Sequence, residues 1–110
     1  MAQGERKTIT PQDSVRALII KKRNQLGLSR DQLAFLAGYD QSSVRKIENG
    51  TRNPSLGAIF DLFGVLGLRP STVMKRIEKE AGFEPLPRAR IQEILEAEKA
   101  RRRPKKYRDR

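Results

Sequence analysis

Histidine and cysteine are both absent from this 110-residue chain, so chemistry rests on 13 carboxylates, a scatter of serines and 24 lysines and arginines. Acid–base catalysis without histidine needs two carboxylates paired in a cleft. Asp31, Asp61, Glu78, Glu80, Glu93, Glu96 and Glu98 instead spread along polar helix faces. The serines have no base at a recognisable spacing, and there is no glycine-rich phosphate loop and no cluster of metal ligands. Without cysteine neither a disulfide nor a zinc finger can form. These residues point away from an enzyme and imply no cofactor, no metal and no small-molecule ligand. The remaining chemistry is recognition of a polyanion: the net charge is +11 and the pI near 10.7, and nucleic acid is the first partner such a surface attracts. Gln41, Ser42, Arg45 and Lys46 are suited to it. Gln41 and Arg45 are four apart, as are Ser42 and Lys46, so on a helix each pair shares a face. Arginine can give guanine two hydrogen bonds, and glutamine can do the same with adenine.

Such a set is useful only on a helix that a scaffold holds out. Residues 29–50, SRDQLAFLAGYDQSSVRKIENG, read as that scaffold. Ser29 with Gln32 makes a capping box for one short helix. Ala34 is small where two helix backbones must nearly touch, and Gly38 supplies a turn angle that only glycine reaches cheaply. Asp40 caps the next helix, which runs to about Glu48, with Val44 and Ile47 three apart on its inner side. Leu33, Phe35 and Leu36 are expected on the buried side of the first helix. Tyr39 is expected in the core, its hydroxyl offering a phosphate contact as the alternative. Asp40 opposes DNA unless the amides of its helix absorb its charge. Two short helices joined this way form a helix-turn-helix, whose second helix fits a major groove.

The flanking elements are helical too. Thr10 caps and Pro11 opens a helix to Leu26, with Val15, Leu18 and Ile19 apolar. After a loop from Thr51 to Pro54, Ser55 caps a helix whose expected buried face is Leu56, Ile59, Phe60, Phe63 and Leu66. Gly57 and Gly64 weaken it by about 1 kcal/mol each against alanine, unless they permit close helix approach. Pro70 starts a fifth helix to Gly82, with Val73, Met74, Ile77 and Ala81 inside. Pro85 and Pro87 then break the chain. Three units result: a flexible arm over 1–9, an all-α five-helix bundle over 10–82, and an extension over 83–110. The extension holds a helix over about 88–103 with a thin stripe of Ile91, Ile94 and Leu95, then a basic tail. Residues 99–110 carry eight basic groups and one acidic, +7 of the chain's +11. No apolar run approaches the ~18 residues of a membrane helix, and MAQGERKTIT lacks the apolar centre of a secretory signal. A cytoplasmic location with no membrane partner is expected.

Leu28-Ser29, Gln32-Leu33-Ala34, Gly38, Ser43-Val44, Ile47-Glu48-Asn49-Gly50 and Arg52-Asn53-Pro54-Ser55-Leu56, extended through Leu66-Gly67, carry a family likeness. The chain resembles the phage-repressor/Cro-like (xenobiotic-response-element, XRE) helix-turn-helix proteins from its first helix to its fifth. The resemblance implies a compact lambda-repressor-like bundle, a prokaryotic or phage origin and a place on the nucleoid. It gives base reading to Gln41, Ser42, Arg45 and Lys46, and phosphate contacts to Arg30, Ser43, Asn49 and Arg52. It makes Arg23 and Glu48 a buried structural salt bridge between the ends of helices 1 and 3. It also implies a homodimer on a palindromic operator in double-stranded DNA, joined through helices 4 and 5 and extended by Phe83, Leu86 and the 91–95 stripe. A transcriptional repressor or autorepressor is the leading expectation. The alternative is an antitoxin that binds a toxin through 83–110 and autoregulates its operon. A third reading, an RNA-binding or nucleoid-coating protein using the basic tail alone, is opposed by the few aromatics, four Phe and two Tyr.

Overall fold

The computed structural model describes residues 9–102, and six helices and no strand occur among them. They are α1 (Pro11–Gln25), α2 (Arg30–Ala37), α3 (Gln41–Glu48), α4 (Leu56–Leu66), α5 (Pro70–Ala81) and α6 (Arg88–Arg102). Of the expected arm and basic tail, residues 1–8 and 103–110 lie outside the described residues.

Local chemistry sets each start. Thr10 accepts from the Asp13 amide while the Asp13 carboxylate accepts from the Thr10 amide, a closed capping box ahead of Pro11. Ser29 and Gln32 do the same for α2, at 3.0 and 2.8 Å. Asp40 caps α3 through the Ser43 amide, and Ser55 caps α4 through the Ala58 amide. Each such cap supports its helix by about 1 kcal/mol. At Gly38 φ is +81° and a built Cβ would meet nothing within 4 Å. The turn therefore demands the left-handed angle, not the missing volume.

α1 packs against α3, α4 and α5, α2 against α3 and α4, and α4 against α5. One core fills the space between them: Val15, Ile19, Leu33, Ala34, Val44, Ile47, Leu62, Phe63, Leu66, Val73 and Ile77. Ile19, Leu33, Leu62 and Phe63 are wholly enclosed.

Two expected faces differ from the structure. In α2 only Leu33 and Ala34 are buried, whereas Phe35 is 83% and Leu36 56% exposed. Successive helical residues turn by about 100°, so an eight-residue helix in contact with α3 and α4 cannot bury a run of four. In α4 the inward stripe runs Ala58, Leu62 and Leu66 with Phe63, and Ile59 lies half-buried beside it. Leu56 and Phe60, one turn apart, face solvent at 68% and 55% exposure. α6 is absent from the packed pairs and buries none of its side chains.

Candidate nucleic-acid interface

α3 is two turns long, too short to hold itself in water, so its neighbours must fix it. Val44 and Ile47 anchor its inner face at 1% and 3% exposure. At its start the Asp40 carboxylate accepts from the Ser43 amide at 3.0 Å and the Ser42 hydroxyl at 3.2 Å. The side chain and then the amide of Ser43 hold the Asp40 carboxyl below its ordinary range, with Ser42 and the charge of Arg52 acting the same way. The helix thus absorbs much of the negative charge that would oppose a phosphate.

At the far end of α3, Glu48 points inward. Arg23 of α1 donates to it through Nε at 2.6 Å and through Nη2 at 2.9 Å, a two-pronged pair. The remaining Nη1 donates to the Leu28 carbonyl at 2.9 Å and to Asn24 Oδ1 at 3.3 Å. The two side chains are 13% and 5% exposed. The hydrogen bonds to Glu48 raise the Arg23 pKa above its already high value. Arg23 therefore ties α1, the loop before α2 and the end of α3 together.

Between these anchors, Gln41, Ser42, Arg45 and Lys46 are all exposed, and α3 offers them outward as one polar surface opposite its buried side. Gln41 and Ser42 occupy its first turn, Arg45 and Lys46 its second. Of the other four singled-out residues, Arg30 is the first residue of α2 and is exposed. Ser43 is half-buried, and its Oγ accepts from Arg52 Nη1 at 3.1 Å. The loop after α3 thereby folds back toward the start of that helix. Asn49 Oδ1 accepts from the amide and hydroxyl of Thr51 at 3.1 and 2.8 Å, setting the shape of the same loop. A recess of about 200 Å³ lies between α3 and this loop, lined in part by Ser43, Arg52 and Asn53.

Sequence reasoning missed two supports. The Tyr39 hydroxyl donates to Asp61 Oδ2 at 2.8 Å, so the turn is pinned to α4 and the ring is half-buried. That bond raises the Tyr39 pKa. The second is Arg16, held to Asp13 at 2.7 Å, whose guanidinium lies 3.4 Å from where a Cβ on Gly50 would stand. Gly50 has φ of +85°, so the exit from α3 depends on its backbone angle, and Arg16 lies in ordinary contact range beside it. Neither support had a local signature, because each joins residues distant in the chain.

No single helix among the described residues is long and apolar enough to cross a membrane. The helix-turn-helix family model matches residues 19–73, half of the chain. A protein described as an uncharacterised HTH-type transcriptional regulator from Haemophilus influenzae is 38% identical over 60 residues, which is 54% of this chain and 61% of that protein. The chain thus spans about three fifths of the length of that curated relative. Among solved structures, a mutant of the restriction-modification controller protein C.Esp1396I superposes with a TM-score of 0.57 at 21% identity, covering 64% of this chain and 91% of that one. At that identity the likeness is one of fold.

Proposed function

The chain belongs to the helix-turn-helix family, and we propose that it is a sequence-specific DNA-binding transcriptional regulator, a repressor or autorepressor acting as a dimer on a palindromic operator. The observation that carries this is the outward face of α3, where four polar side chains stand exposed on a helix held at both ends. In this reading Gln41, Ser42, Arg45 and Lys46 meet base edges in the major groove. Arg30, Ser43, Asn49 and Arg52 meet phosphates and set the register without reading sequence. Arg52 reaches the start of α3 through Ser43, where a backbone phosphate would lie beside the helix.

A dimer is favoured by the outward stripe of α4. Leu56 and Phe60 expose apolar surface one turn apart, with Gly64 a further turn on and open space around it. Two copies joined there would set two α3 helices in successive grooves about 34 Å apart. The basic end of the chain would add phosphate affinity of a sequence-independent kind. The antitoxin reading draws on the half-exposed stripe of α6. Co-expression with the neighbouring gene product, followed by co-purification of a small partner, would select it.

Selection of binding sites from a random duplex pool with the full chain tests the leading reading. The expected result is enrichment of an inverted repeat with half-sites one helical turn apart. Enrichment of no sequence at all would overturn it.

A further inference from the structure

α6 is the helix the bundle leaves unused. Ile91, Ile94 and Leu95 are 38%, 42% and 51% exposed, and no residue of the helix is buried. Ile91, Ile94, Leu95 and Glu98 follow an i, i+3, i+4, i+7 spacing and so share one face, which Arg102 continues a turn later. Along its length the helix is braced by its own ion pairs. Arg90 meets Glu93 at 3.0 Å, Lys99 meets Glu96 at 3.9 Å, and Glu98 meets Arg101 and Arg102 at 3.9 and 3.4 Å. A braced helix with an open apolar seam is built to receive another helix.

We propose that the seam is covered by α6 of a second copy of this chain, running antiparallel. The inference rests on the dimer reading above and gives that dimer a second contact. The charges choose both occupant and direction. In a parallel pair each seam residue meets its own counterpart, so Glu98 would face the partner's Glu98 and Arg102 the partner's Arg102. In the antiparallel register that sets Ile91 against the partner's Leu95, Glu98 meets the partner's Arg88, and the two copies of Arg102 lie at opposite ends of the pair, beyond the start of the facing helix. The two-fold axis makes the Glu98–Arg88 pair twice. Like charges in one direction become opposite charges in the other, which is how helix pairs fix orientation. Three apolar residues per helix are too few to hold a dimer alone, so the pair reinforces the α4 contact. The C-terminal end of each α6, with Lys99, Arg101 and Arg102, is delivered to the partner's bundle.

The chain has no cysteine of its own, so cysteines can be introduced cleanly. Full-length Arg88→Cys and Glu98→Cys chains are mixed in equal amounts and oxidised. The antiparallel pair predicts a heterotypic cross-link and almost no Glu98→Cys homodimer, because the two copies of residue 98 lie about 15 Å apart along the helices. A dominant Glu98→Cys homodimer, or no cross-link of either kind, overturns the proposal. The second would leave the seam to a different protein. By sedimentation, Glu98→Arg should weaken dimerisation about tenfold, and adding Arg88→Glu should return it to within about twofold. Failure of that rescue also overturns the proposal. These residues are outside the core, and circular dichroism verifies that the variants fold. Operator binding by the unaltered chain is measured in parallel: its persistence while cross-linking fails removes only the α6 pair, whereas its absence removes the DNA-binding reading itself.

Discussion

Glu48→Ala removes both carboxylate acceptors of Arg23, at 2.6 and 2.9 Å, from a site where the arginine side chain is 13% exposed. Breaking a buried pair by deleting one partner costs about 3–5 kcal/mol, because the survivor stays charged and unsatisfied. Arg23 keeps its bond to the Leu28 carbonyl and some access to water, so the lower end, about 3 kcal/mol, is expected for Glu48→Ala. Arg23→Ala strands the glutamate, which is 5% exposed, and about 4 kcal/mol is expected. The double variant leaves no orphan charge. It should cost less than the sum, with a coupling of about 2–3 kcal/mol. For a domain of this size each kcal/mol lowers Tm by about 4–8 °C, so Glu48→Ala should lower it by about 12–24 °C. Urea unfolding followed by far-UV circular dichroism on all four chains closes the cycle. Additivity within about 0.5 kcal/mol, or single losses under about 1 kcal/mol, would refute the assignment of this pair as the tether of α3.

Arg45→Ala and Gln41→Ala should each weaken the selected site by about 1–3 kcal/mol and relax preference at one base position; equal losses on random and selected duplexes would count against base reading. Arg52→Ala should weaken every sequence alike and reduce the salt slope of binding by about one unit, read from titrations at several salt concentrations. The pKa of Asp40 is depressed from 3.8, so its support of α3 is complete above that value and disappears as pH falls through the lower folded value. Asp40→Asn should therefore differ from the parent in urea midpoint at neutral pH and converge with it only as pH falls below the lowered folded value. Gly64→Ala sits in α4 with nothing within 4 Å of the new methyl in the single chain, so at protein concentrations too low for dimerisation it should stabilise the bundle by about 0.5–1 kcal/mol in the same unfolding assay. A loss under those conditions would show that the methyl is not accommodated within the subunit itself.

The helix-turn-helix was legible because its constraints are local. A cap, a small residue, a left-handed turn and two inward apolar residues all fall within one short stretch, and each has a type fixed by sterics. Helix boundaries were legible for the same reason, since Thr10, Ser29, Asp40 and Ser55 lie beside the amides they cap. Orientation was less legible. The run Leu33-Ala34-Phe35-Leu36 offers apolar groups in every direction, and only the placement of α3 and α4 decides that Phe35 faces out. In α4 the surplus of apolar residues concealed which stripe turns inward, and Ala58 and Leu62 were passed over in favour of Leu56 and Phe60. The Tyr39–Asp61 bond and the approach of Arg16 to Gly50 arise from tertiary packing and leave no trace in spacing. On α3 the sequence placed Gln41, Ser42, Arg45 and Lys46 on a shared surface, and all four are exposed there.

Because α3 is fastened by Asp40, Val44, Ile47 and Glu48, its outward positions owe little to folding beyond the bond from the Ser42 hydroxyl to the Asp40 carboxylate. Their side chains can be exchanged almost at will while the scaffold stays intact. If these side chains read bases as proposed, a lineage could move to a new operator by a few substitutions at 41, 42, 45 and 46, and a designer could do so without redesigning the protein. Fastening and reading are handled by separate letters of the same eight-residue word.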